Sequence, residues 1–181
     1  MESSISPRII IMISIPVILF IAVLALSSNP IIPNQMDIEV KTYQGNKINS
    51  TDYKGKIQIV EFFTSWCAGC KEITNNIKSV LSNTSFNHED VVVLSITIDP
   101  FHDTEELLSN FISNYSLNEF VDSGNWMFAR DLNEYHTYYS VSVIPHSFLV
   151  GKDGQILDQH IGVISTQEIY SWILEARQHT T

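Results

Sequence analysis

The sequence predicts an α/β domain preceded by one membrane-spanning helix, and three observations carry that prediction. Ile57 to Phe63 and Val91 to Ile98 are short, nearly continuous apolar runs of the kind that form strands covered on both faces. Between them Ile73, Ile77, Val80 and Leu81 recur at helical spacing, so strand, helix and strand read as one parallel crossover unit. Ahead of them, Ile9 to Leu26 holds no charged residue and is about the length that crosses a bilayer core.

The 181 residues, 44% of them hydrophobic, suffice for one domain with a sizeable core plus an appendage. A formal charge of −10 argues against a nucleic-acid partner and for an acidic, solvated surface. We divide the chain into an N-terminus at 1–8, a transmembrane anchor at 9–26, a linker at 27–36 and a domain at 37–181. A cleaved signal peptide is the alternative for the apolar segment, because Ala25-Leu26-Ser27 puts small residues at suitable offsets; the length of the run favours an uncleaved anchor. Arg8 precedes the span and the next basic residue is Lys41, which by the positive-inside tendency leaves residues 1–8 in the cytoplasm. The expectation is a single-pass cell-membrane protein with its C-terminal domain extracytoplasmic, a setting in which disulfides persist.

Taken in order, Asn29-Pro30 and Pro33 stiffen the linker, and Ile38 to Tyr43 with Lys47-Ile48 form a hairpin that turns at Gly45. In the Ile57 to Phe63 strand Glu61 stands out, since a carboxylate there must be paired, hydrated or protonated. Asp103 is placed to cap a helix with Glu106 as its third residue and Leu107, Leu108, Phe111, Ile112 and Tyr115 on its apolar face. His102 reads as a solvated loop histidine, and Asp131 to Tyr139 as a helix carrying His136 and the aromatic group Tyr135, Tyr138 and Tyr139. The end of the chain gives a strand through Val150, a turn at Gly151 to Gly154 and an edge strand from Gln155 to His160. A capping box at Ser165 and Glu168 then opens a helix whose inward face is Ile169, Trp172, Ile173 and Ala176.

The candidate chemistry lies in the only two cysteines, Cys67 and Cys70, which follow the first strand directly. Two thiols separated by two residues can close on each other. At a strand-to-helix junction the unpaired N–H groups and the helix dipole favour an anion, so Cys67 would ionise readily and attack, with Cys70, one turn on, resolving. Zinc uses the same spacing, but no second Cys pair exists to complete a tetrahedral site.

The stretch Val60 to Lys71, with its buried acid, aromatic pair, Trp-Cys-x-x-Cys and Lys, resembles the thioredoxin superfamily. Val143-Ile144-Pro145-His146-Ser147-Phe148-Leu149-Val150 is similar to that family's second signature, in which the proline is cis and its loop faces the cysteines. The resemblance implies a thioredoxin-like fold with a mixed central sheet flanked by helices, and a cofactor-free thiol–disulfide oxidoreductase acting on protein disulfides or dithiols. It assigns Cys67 as nucleophile, Cys70 as resolving thiol, Glu61 as proton shuttle and Lys71 as a stabiliser of the thiolate. Trp66, Ile144 and Pro145 would hold the substrate, Ile144 through strand addition. The membrane-tethered TlpA and ResA families are similar, although Gly69 and Ile73 stand where those relatives usually have proline and an acid. Asp99-Pro100-Phe101-His102-Asp103-Thr104 and Trp126-Met127-Phe128 resemble the Sco family. That likeness implies the alternative of a copper chaperone with Cys67, Cys70 and His146 as ligands, although Sco cysteines are spaced C-x-x-x-C.

Overall fold

Seven strands form one sheet in the order β2-β1-β5-β4-β3-β6-β7 in the computed structural model, which describes residues 33–179. The expected anchor at 9–26 and most of the linker lie outside the described residues. Among the described residues no helix is long and apolar enough to cross a membrane.

The two apolar runs are the central strands. β3 (Ile57–Phe63) and β4 (Val91–Thr97) pair in parallel with every residue buried, as expected of nearly continuous apolar runs. Helix α1 (Ala68–Leu81) makes the crossover between them and buries Ile73, Ile77, Val80 and Leu81. β1 (Glu39–Thr42) and β2 (Lys47–Asn49) form the N-terminal hairpin, where Gly45 takes a φ of 89° in the turn. Asn49 caps a short 3₁₀ turn, Ser50–Tyr53. β5 (Trp126–Arg130) runs parallel to β4 and antiparallel to β1, which joins the hairpin to the sheet. β6 (His146–Val150) is antiparallel to β3, and β7 (Ile156–Ile161) closes that edge. The sheet is therefore mixed.

Strand alternation divides the core into two layers. Ile57, Ile59 and Phe63 face α1, α2 (Glu105–Asn114) and α5 (Thr166–Gln178), in one cluster with Cys70, Phe111, Trp126 and Trp172. Val60 and Phe62 face the other side, with Met36, Val92, Tyr139 and Phe148. A short helix α3 (Asn118–Asp122) leads into β5. Met36 is buried and its N–H donates to Gly154 O at 3.0 Å, so packing reaches into the last residues of the stretch read as linker.

Two expectations are corrected. Asp103 does not cap α2; Thr104 does, its hydroxyl accepting from Leu107 N at 3.3 Å, while Asp103 is buried and fully engaged elsewhere. Asp131 to Tyr139 is not one helix but a single turn, α4 (Tyr135–Tyr138). The Asp131 carboxylate accepts from the N–H groups of Asn133, Tyr135 and His136, and this local competition, with Glu134 at a φ of 57°, stops helix from forming earlier. The tyrosines have a specific task beyond packing. Tyr139 Oη accepts from Asp37 N at 2.8 Å and Tyr135 Oη from Glu39 N at 3.1 Å, fastening the incoming chain beside β1.

Candidate functional site

β3 ends at Phe63, and the next four residues carry the chain across the end of the sheet into α1. Cys67 is the N-cap of that helix, with its sulfur accepting from Cys70 N at 3.1 Å. An N-cap acceptor satisfies one of the helix's orphan N–H groups, so the same position that suits Ser or Asp here holds a sulfur. Cys67 is half-buried, Cys70 is fully buried beneath it, and the two form a disulfide. Of the two sulfurs, Cys67 is therefore the one within reach of a partner.

The loop before β6 lies against this helix start. The Ile144–Pro145 peptide is cis, and a Cβ added at Gly69 would stand 3.3 Å from both Pro145 Cδ and Val163 Cγ2. Glycine between the cysteines leaves the proline loop room to approach closely. Pro145 O accepts from Gly162 N at 2.8 Å, and among the described residues no loop hydrogen bond engages the main chain of Ile144. Trp66 stays 55% exposed beside Cys67, its indole N–H directed to Asp99 Oδ2 at 3.4 Å. Lys71 lies further round, where its side chain lines a cavity with Ser65, Asn110 and Phe111.

Glu61 is fully buried and shares by alternation the sheet face of Phe63, the face on which Cys70 packs. Its Oε2 accepts from Ser95 Oγ at 3.0 Å, and Ser95 in turn accepts from Trp126 Nε1 at 2.9 Å. Oε1 has no protein partner among the described residues, nor does the hydroxyl of Ser147, the residue opposite Glu61 on β6. Burial pushes the Glu61 carboxyl up to about 8, with the Ser95 hydrogen bond acting weakly against it. The acid is therefore neutral through the acidic and neutral range.

His146 goes the other way. It stacks on Phe148, two residues on, at 4.6 Å, on the sheet face opposite Cys70, and its Nε2 bonds Gln159 Oε1 at 3.0 Å. Burial holds its pKa below the ordinary histidine value. Cys67, Cys70 and His146 do not converge, and among the described residues no group of three or more His, Cys, Asp or Glu side chains is placed to hold a metal. The donor set expected for copper does not fit this arrangement.

Several contributors had little or no signal in the sequence. Asp103 accepts from Ser65 N at 2.9 Å and from the hydroxyls of Ser65 and Thr97, tying the segment before Trp66-Cys67 to the β4–α2 loop. Ser95, a hydroxyl inside an apolar strand, links Glu61 to the Trp126 indole.

Fold and site together define a thioredoxin-like redox protein of the ResA and Sco type, built around one cysteine pair. Residues 35–176 match the SCO1/SenC family, and the chain belongs to that family. It is 25% identical over 136 residues to the thiol-disulfide oxidoreductase ResA of Bacillus cereus, covering 74% of this chain and 71% of that protein. An SCO2-like protein of Rickettsia typhi is 25% identical over 150 residues, covering 75% and 73%. Among solved structures, StoA from Bacillus subtilis superposes with a TM-score of 0.58 at 22% identity, covering 77% of this chain and 98% of that one.

Proposed function

We propose that this chain is a membrane-anchored thiol–disulfide oxidoreductase whose domain works outside the cytoplasm on protein partners. The observation that carries the reading is the cysteine pair itself, with an accessible sulfur at a helix N-cap over a buried one and the cis-proline loop pressed against Gly69. In the reduced protein the Cys67 thiolate attacks a partner disulfide, forming a mixed disulfide and releasing one partner thiolate. Cys70 then attacks Cys67 Sγ, leaving the Cys67–Cys70 disulfide and the second partner thiol. The reverse sequence oxidises a partner dithiol. Cys70 must exchange a proton in either direction, and Glu61, held neutral on its side of the sheet, serves as donor or acceptor through water. Ile144 and Pro145 hold the partner's main chain alongside Cys67.

Cys70→Ser should accumulate a mixed disulfide with a peptide or protein partner, visible on a non-reducing gel, and Cys67→Ser should form none. Equal trapping by both variants would overturn the assignment of nucleophile and resolving thiol.

Family membership favours copper handling as a second reading. With His146 on the far sheet face, the two cysteines alone would carry any copper(I). Titration of the reduced full-length chain against a chromophoric chelator should therefore give the same copper(I) affinity for His146→Ala as for the native protein. A tenfold or greater weakening in the variant would restore His146 as a ligand.

A further inference from the structure

On the far side of Trp66 from the cis-proline, the loops that follow β4 and β5 hold an aromatic residue out in solvent. Phe101 is 92% exposed and Leu132 is 52% exposed. The exposure is built in, because the loop is braced from behind. Arg130 donates to Pro100 O from Nη2 at 2.8 Å and from Nε at 3.2 Å, Asp103 N donates to Asp99 O at 2.8 Å, and Asp103 is itself anchored to Ser65 and Thr97. An exposed phenyl ring on a braced loop is a common anchor for a partner.

Between the two loops lies a cavity of about 240 Å³. It is smaller than the roughly 300–1,000 Å³ of typical small-molecule sites and suits a single side chain. Ile98, Pro100, Phe101 and Leu132 make its walls, and Asp99 and Glu134 bring carboxylates to it. His136 also lines it, with Nδ1 held at 2.7 Å by the buried Asp131 carboxylate. Apolar walls with acids beside them match a long methylene stem that ends in a cation.

The cavity is coupled to the cysteines through Asp99, which both lines it and accepts from the indole of Trp66, the neighbour of Cys67. β3, β4 and β5 are adjacent in the sheet, so the loops after β3 and β5 are separated by two strand spacings, roughly 10 Å. An extended peptide crosses that distance in about three residues.

We propose that this cavity is a specificity subsite that takes a lysine or arginine of the partner protein, about three residues from the partner cysteine that exchanges with Cys67. The proposal rests on the oxidoreductase reading and names its substrate class as basic segments around the reactive cysteine.

The test uses the reduced full-length chain and symmetric disulfides of a short peptide with one cysteine. Arginine, glutamine or glutamate is set two, three or four positions to either side of it. In each reaction the Cys67 and Cys70 thiols are oxidised to the disulfide and the peptide dimer is reduced to two peptide thiols, whose release is followed. At one offset the arginine peptide should react about tenfold faster than the glutamine peptide, with glutamate slowest. That preference should shrink toward one in Glu134→Gln and in Phe101→Ser, and also with added salt. Equal rates at every offset, or a preference that survives both substitutions, overturn the subsite and leave the oxidoreductase reading intact. No exchange with any peptide overturns both.

Discussion

Glu61 shows what one residue's burial does to the chemistry. Its carboxyl holds a proton up to about pH 8, whereas in the unfolded chain it titrates near the ordinary glutamate value. From there to pH 8 the unfolded chain has released a proton that the folded chain keeps, so this group's contribution to stability is full at low pH and is lost as pH rises. Glu61→Gln removes that loss. In denaturant titrations the variant should gain on the native protein between pH 5 and 8, by up to about 1.4 kcal/mol per pH unit. A flat difference would mean that Glu61 is already ionised in the fold. The same variant should slow exchange near neutral pH by about tenfold to a hundredfold if Glu61 serves Cys70 as acid and base, and unchanged kinetics would remove that role.

At the scale of elements, the molecule is held by a few ties between segments distant in sequence. Asp90, just before β4, receives Arg177 from α5 at 2.6 Å and Lys152 from the β6–β7 turn at 3.0 Å. The Arg177 hydrogen bond, with Lys152 adding to it against partial desolvation, lowers the Asp90 pKa to about 2. Here the sign is opposite to that of Glu61: the contribution is present above the ordinary aspartate value and is lost as pH falls toward 2. Because the pair is partly exposed and screened, Asp90→Asn should cost about 1 kcal/mol near neutral pH and little at pH 2. Thermal melts at the two pH values check this, and an equal loss at both would put the tie's value in packing rather than charge. Asp103 performs a similar task at the site, its carboxylate holding Ser65, on the approach to Cys67, from a loop 38 residues after that serine.

For the whole molecule, the proposed tether outside the cytoplasm rests on the apolar run at 9–26 and on Arg8 ahead of it. Alkaline carbonate extraction of membranes from cells making the full chain should leave it in the pellet. Release into the supernatant would favour the cleaved signal peptide. The sheet order has its own consequence: it brings the loops after β3, β4 and β5 and the loop before β6 to one end, so cysteines, cis-proline and the Phe101 cavity form one working edge.

Continuous apolar runs, helical periodicity and a capping box determined β3, β4, α1 and α5 from the sequence alone, because those signals are local and each element buries most of what it shows. The cysteine pair and the Ile144–Pro145 loop were legible for the same reason, as short motifs with fixed neighbours. Tertiary structure decided what depended on distant partners. Asp103 had a plausible local use as a helix cap, but the buried Thr97 hydroxyl together with the Ser65 hydroxyl and N–H outcompete that use once β4 is packed. His146 follows the proline closely in sequence, yet strand alternation turns its ring to the face away from Cys70. Which face a side chain takes is set by strand register, and register is fixed only when the sheet assembles.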